Sequence, residues 1–164
     1  MKIAVTIALL ALPLAACNQN TELGNDREGQ IDAAPTPAPI MGAAAALENV
    51  ATAALKPETM SDADIAALGG REGRCAVKLT EVGFPSFLYE PTGSGAIKLN
   101  GKLIVLRNAG DARFEDGGLT VTLQPVDDEG NAGLQAMEMI IVPPGAKDEI
   151  GYRGYSQCFQ GDEA

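Results

Sequence analysis

Histidine and tryptophan are both absent from this 164-residue chain. Without histidine there is no imidazole base, the commonest metal ligand is missing, and no Ser-His or Cys-His nucleophile pair can form. Aromatics are scarce, with three Tyr and four Phe. A small domain so poor in large rings has a thin core and leans on a covalent staple. Basic residues are also few, 12 against 22 acids for a net charge of −10, a poor footprint for nucleic acid, so none is expected as a partner. The surplus is uneven: residues 18–70 hold eight acids and two bases, residues 71–159 twelve and nine. The C-terminal part is therefore nearly balanced and carries no strong steering field.

What is present begins with an export pattern. Lys2 is followed by an apolar run through Leu12, broken by Pro13 and ending in Leu14-Ala15-Ala16-Cys17. The run is shorter than the roughly 20 residues that span a bilayer, and it has the three parts of a secretory signal. The Leu-Ala-Ala-Cys ending resembles the lipobox of bacterial lipoproteins. That resemblance implies diacylglycerol on the Cys17 thiol, cleavage before Cys17 and acylation of the new amino terminus, hence a membrane partner reached through lipid. Asn18 stands where the Asp of an inner-membrane retention signal would be, which points to the periplasmic face of the outer membrane. With Cys17 taken by lipid, Cys75 and Cys158 remain as a pair in an oxidising compartment.

Four segments follow from composition: a signal over 1–16, a lipidated and Pro-rich tether over 17–39, a helical segment over 40–70, and a disulfide-closed β domain over 71–160. The tether ends in Ala34-Pro35-Thr36-Pro37-Ala38-Pro39, which favours an extended spacer. Residues 40–55 are Ala-rich with apolar positions at helical spacing, and Pro57 ends that run. Ser61, Asp62 and Asp64 open a second short helix that Gly69-Gly70 stops. From Cys75 the pattern turns strand-like. Asn100-Gly101 between two apolar runs predicts a type I′ hairpin with Leu99 opposite Lys102, Ile97 opposite Ile104 and Gly95 opposite Leu106. Further strands are expected over 75–80, 84–89, 119–123, 135–142 and 150–159. The fold class is mainly β, a small antiparallel barrel or sandwich of about six to seven strands with one or two short N-terminal helices.

Chemistry-bearing patterns are weak. Asp127, Glu129, Asn131 and Glu138 have calcium-loop spacing, but Ala132 stands where the turn glycine belongs. Glu115 and Asp116 are adjacent, and neighbours in a strand point to opposite faces. Gly93-Ser94-Gly95 lacks the Gly-Lys-Ser/Thr ending of a phosphate loop. Ser86 has no base to activate it. No catalytic residue, metal or cofactor is expected. Tyr152, Arg153 and Tyr155 form the best surface candidate, since Tyr and Arg are favoured interface anchors.

Residues 58–158 look like a family of uncharacterised alphaproteobacterial lipoproteins. The matching stretches are Ser61-Asp62-Ala63-Asp64-Ile65-Ala66-Ala67-Leu68, Gly73-Arg74-Cys75, Ile97-Lys98-Leu99-Asn100-Gly101-Lys102-Leu103 and Gly151-Tyr152-Arg153-Gly154-Tyr155. A second similarity is to the membrane-bound C-type lysozyme inhibitors, through Lys98-Leu99-Asn100-Gly101-Lys102, Gly110-Asp111-Ala112-Arg113-Phe114, Asp116-Gly117 and the closing Cys158. That family implies a small β-barrel with a first-to-last-strand disulfide and a Ser-Gly-x-x-Tyr inhibitory motif; here Gly110, Asp111 and Phe114 occupy its three defining places. These resemblances add Asp111, Arg113 and Phe114 to the candidate partner-binding residues. The function expected is that of a non-enzymatic, lipid-anchored envelope protein acting as a binding or scaffold module for a protein partner. The alternative is an inhibitor of a lysozyme-like cell-wall hydrolase.

Overall fold

The computed structural model describes residues 35–160. Cys17, the signal and most of the tether lie outside the described residues. Among the described residues nine strands form in chain order: β1 (Ile40–Met41), β2 (Cys75–Lys78), β3 (Phe87–Tyr89), β4 (Gly95–Leu99), β5 (Lys102–Gly110), β6 (Arg113–Asp116), β7 (Leu119–Glu129), β8 (Gln135–Val142) and β9 (Ile150–Cys158). From β2 to β9 every strand pairs antiparallel with its neighbour in sequence, and β2 pairs with β9, so eight strands close an up-and-down barrel. The fold is a barrel, and it has more than the six to seven strands expected. The two additional strands carry little pattern. β1 has two residues, paired parallel to β5, and β6 is Arg-Phe-Glu-Asp with a single apolar side chain.

Local sequence sets the hairpins. The β4–β5 register is the one expected, with Leu99 opposite Lys102, Ile97 opposite Ile104 and Gly95 opposite Leu106. Asn100 and Gly101 both take positive φ (50° and 66°), as the tight turn requires. The next two hairpins turn the same way, through Asp111-Ala112 and Gly117-Gly118, all four residues at positive φ. These two turns produce β6, which no apolar alternation announces.

The barrel interior is filled. Phe87, Ile97, Leu99, Ile104, Leu106, Phe114, Leu119, Val121 and Met139 are all fully buried within one cluster. Three of the chain's few aromatics meet there. Phe87 and Phe114 rings lie 5.1 Å apart edge to face, and the Tyr89 ring is 5.6 Å from Phe114 and 5.7 Å from Phe87. Gly95 makes room for them, because a Cβ on it would collide with the Phe87 ring and lie 3.1 Å from that of Phe114.

Residues 40–55 do not form the helix that their spacing suggests. Only α1 (Ala43–Ala46) and a single 3-10 turn (Thr52–Ala54) appear before Pro57, and Asn49 adopts a left-handed φ of 60° that interrupts the run. The apolar spacing serves burial of another kind. Ala43, Ala46, Leu47 and Leu55 pack into the same cluster as the barrel interior. The Ala43 N–H donates to Asp116 Oδ2 (2.7 Å) and the Asn100 amide donates to the Ala46 carbonyl, so this stretch sits against the β4–β5 and β6–β7 turns. The second helix, α2 (Asp62–Ala67), is as expected, with Ser61 and Asp64 forming a capping box. It lies outside the barrel wall. Met60 and Ile65 bury a second cluster with the outward-facing Ala76, Leu88, Ala96 and Leu103. That cover explains why β2 is buried on both faces where its sequence promised alternation.

Cys75 and Cys158 stand directly opposite one another in the β2–β9 register and are disulfide-bonded, closing a loop of 83 positions. Such a cross-link stabilises by about 4 kcal/mol if it acts chiefly on unfolded-chain entropy. Cys75→Ala and Cys158→Ala should each lower stability by a few kcal/mol, and the double variant should be no worse, since a single bond is lost. Urea melts of the three variants measure this, and additive losses would mean that the bond does not account for either single effect.

Candidate functional site

The candidate residues are not brought together. Asp111 is at the exposed tip of the β5–β6 turn, and Arg113 beside it is exposed with a loose contact to Glu115 (3.7 Å). Asp111 thus lies in the turn, and Arg113 opens the strand that follows it. Phe114 is fully buried against Phe87 and Tyr89, so it is not available to a partner at the surface. On β9, alternation splits the other three. Tyr152 points inward, packs on the barrel core and donates its hydroxyl to the Leu55 carbonyl (2.9 Å); burial raises its pKa. Arg153 and Tyr155 face outward and line one cavity of about 210 Å³ with Leu79, Val126, Asp128 and Met137. β7 and β8 intervene between β6 and β9 on one side of the barrel, and β2, β3, β4 and β5 on the other. The Asp111 turn and the Arg153–Tyr155 cavity are therefore separate surfaces. Beside that cavity Asn131 donates both its side-chain amide and its backbone N–H to Glu81, and these bonds lower the Glu81 pKa.

The calcium-spaced residues fall on a β7–β8 hairpin, and no group of acids that could hold a metal occurs among the described residues. A second cavity, of about 240 Å³, opens where β2, the β2–β3 loop and the end of β9 meet, and Arg71, Lys78, Phe84, Gln157 and Phe159 line it. Sequence reasoning passed these residues over. The available signal was Lys78, a charge embedded in the apolar run Cys75-Ala76-Val77-Lys78-Leu79.

The family model described as a domain of unknown function (DUF6692) matches residues 13–161. The chain belongs to that family. No curated protein and no solved structure matches this DUF6692 chain.

Among the described residues of the DUF6692 chain, the most strongly perturbed charge is structural. Asp64 is fully buried. Burial alone would raise its pKa. The Lys98 ammonium at 2.8 Å and the N–H groups of Ala38 (2.6 Å) and Ser61 (2.8 Å) outweigh that and hold it at about 2. One carboxylate thus ties the Pro-rich segment, the start of α2 and strand β4 together. A carboxyl whose pKa is lower folded than unfolded contributes fully above about pH 4, and that contribution is lost as pH falls towards 2. Stability should drop by about 2 kcal/mol across this window. In Asp64→Asn the drop should flatten, and at neutral pH that variant should be about 2–4 kcal/mol less stable, because Lys98 loses its partner. Denaturant melts at pH 7, 4 and 2 test both statements.

Proposed function

We propose that this chain is a non-enzymatic, lipid-anchored protein of the cell envelope whose barrel serves as a binding or scaffold module on the periplasmic face of the outer membrane. The observation that carries the reading is the Cys75–Cys158 bond between the first and last barrel strands. Disulfides of this kind persist in oxidising compartments, and the bond accounts for both cysteines other than the one in the lipobox-like Leu14-Ala15-Ala16-Cys17. A filled interior supports a role on the outer surface. An eight-stranded barrel has room either for its own side chains or for one small ligand, and here side chains and the residues around α1 take the space. Among the described residues no helix is long and apolar enough to cross a membrane; the attachment proposed is lipid on Cys17 of the lipobox-like sequence. Several acyl chains, at about 0.8 kcal/mol per buried methylene, give lasting attachment. Cys17→Ser should accumulate as an uncleaved precursor when membrane fractions are separated and blotted. A normally processed, membrane-bound Cys17→Ser protein would overturn the anchor.

The closed barrel with its first-to-last disulfide also favours keeping the lysozyme-inhibitor reading as second choice. The candidate loop argues against it. Asp111 at the turn tip would carry a negative charge towards the catalytic carboxylates of a lysozyme cleft, and like charges held close in a desolvated interface cost several kcal/mol. The place of the motif tyrosine is Phe114, sealed in the core. The purified protein should therefore not inhibit C-type lysozyme at micromolar concentration in a cell-wall lysis assay. Tight inhibition would make the second reading the first.

A further inference from the structure

The cavity beside β2 contains a cation without a counter-charge and a donor without an acceptor. Lys78 is only 9% exposed, yet its ammonium has a neutral partner, Gln157 Oε1 at 2.8 Å, and among the described residues it forms no salt bridge. A buried cation without a counter-charge is costly and is normally paired. Arg71 reaches the same cavity. Its Nη2 bonds Asp62 at 2.9 Å, while its Nε is buried with no partner. The Arg71 guanidinium carbon lies 5.7 Å from the Phe84 ring centre and 5.9 Å from that of Phe159. Those two rings and Pro85 make the rest of the lining apolar. Beside Pro85, Ser86 is fully buried and its hydroxyl is likewise without a partner.

We propose that this cavity binds a small organic carboxylate with a compact apolar body. The carboxylate accepts from Lys78 and Arg71, and the body lies against Phe84, Pro85 and Phe159. A carboxylate supplies the counter-charge that the Lys78 ammonium lacks and faces the Arg71 guanidinium with its second oxygen, and a charge-assisted bond is stronger than the amide contact that Lys78 has now. The apolar lining selects against a bare inorganic anion, which would leave the rings facing a hydrated ion. At about 240 Å³ the cavity is below the roughly 300–1,000 Å³ of drug-sized sites, so the ligand is small. This gives a ligand class to the binding role proposed above and rests on that role only for its cellular location.

Benzoate is a suitable probe, with benzyl alcohol as the uncharged analogue, acetate as the body-free one and inorganic phosphate as the plain anion. Each is titrated into the full chain in detergent micelles while the NMR signals of the Lys78 backbone amide and the Gln157 side-chain amide are followed. Benzoate should shift both saturably with Kd below about 1 mM, and the other three should bind at least about tenfold more weakly. Lys78→Met should weaken benzoate about tenfold or more while melting no lower than the parent without ligand, since it removes a buried unpaired charge. Phe84→Ser, in an exposed loop, should weaken benzoate severalfold. Equal shifts from benzyl alcohol or phosphate, unchanged benzoate affinity in Lys78→Met, or no saturable shift would each overturn the proposal. Binding seen only after residues 161–164 are removed would make the chain's own tail the occupant and overturn it equally. The micelle titration is independent of processing at Cys17, so its failure would leave the anchoring result standing.

Discussion

A sheet of eight strands has two raw edges until β2 meets β9, and every other feature of this domain presupposes that meeting. The two strands are separated by nearly the whole β domain, so their pairing is the contact with the greatest loop-closure cost. The chain fixes it with a covalent bond at the first register position, Cys75 against Cys158. Close approach along the rest of the seam depends on Gly154, where any Cβ would run into the Lys78 carbonyl. Once the seam is shut, the interior has a set volume. Three clustered aromatics and a ring of aliphatic side chains fill it, which is how a chain with seven aromatic residues still builds a buried apolar core.

Residues 40–70 act on that barrel from three sides in succession. Ile40 and Met41 join the wall beside the part of β5 that the short β6 does not reach. The stretch from Ala43 to Leu55 packs into the interior cluster, and α2 then covers the outward face of β2 to β5. Asp64 is where these pieces are tied, because its carboxylate is shared by Ala38, Ser61 and Lys98. A segment that looks like an appendage in composition is therefore part of the packing unit.

Where local chemistry decides geometry, the fold could be read directly. The Asn100-Gly101 hairpin, the Ser61 cap, the span of β8 and the pairing of the two cysteines followed from turn residues, capping residues and counting. Where tertiary contacts decide, it could not. The Ala-rich run has helical spacing, but its apolar residues are used by the barrel interior, and a left-handed Asn49 ends the helix early. β6 has no alternation of its own and exists because two tight turns flank it. The same limit applied to function. Phe114 reads as a partner-binding candidate until the strand is seen to turn it inward. The Arg71–Lys78 cavity gathers residues more than eighty positions apart, and no local pattern joins them.

The order in which residues 35–70 engage the barrel also decides how it bears load. Any pull on the chain ahead of residue 38 reaches the Ala38–Asp64 and Pro39–Leu103 hydrogen bonds first, and then the two residue pairs of β1 with β5. Next in line are the packed stretch around α1 and the α2 cover, and only behind them does Cys75 begin the covalently sealed seam. The N-terminal wrapping is thus a graded mechanical fuse, which gives way contact by contact before a pull along the chain reaches Cys75 and the disulfide-closed seam.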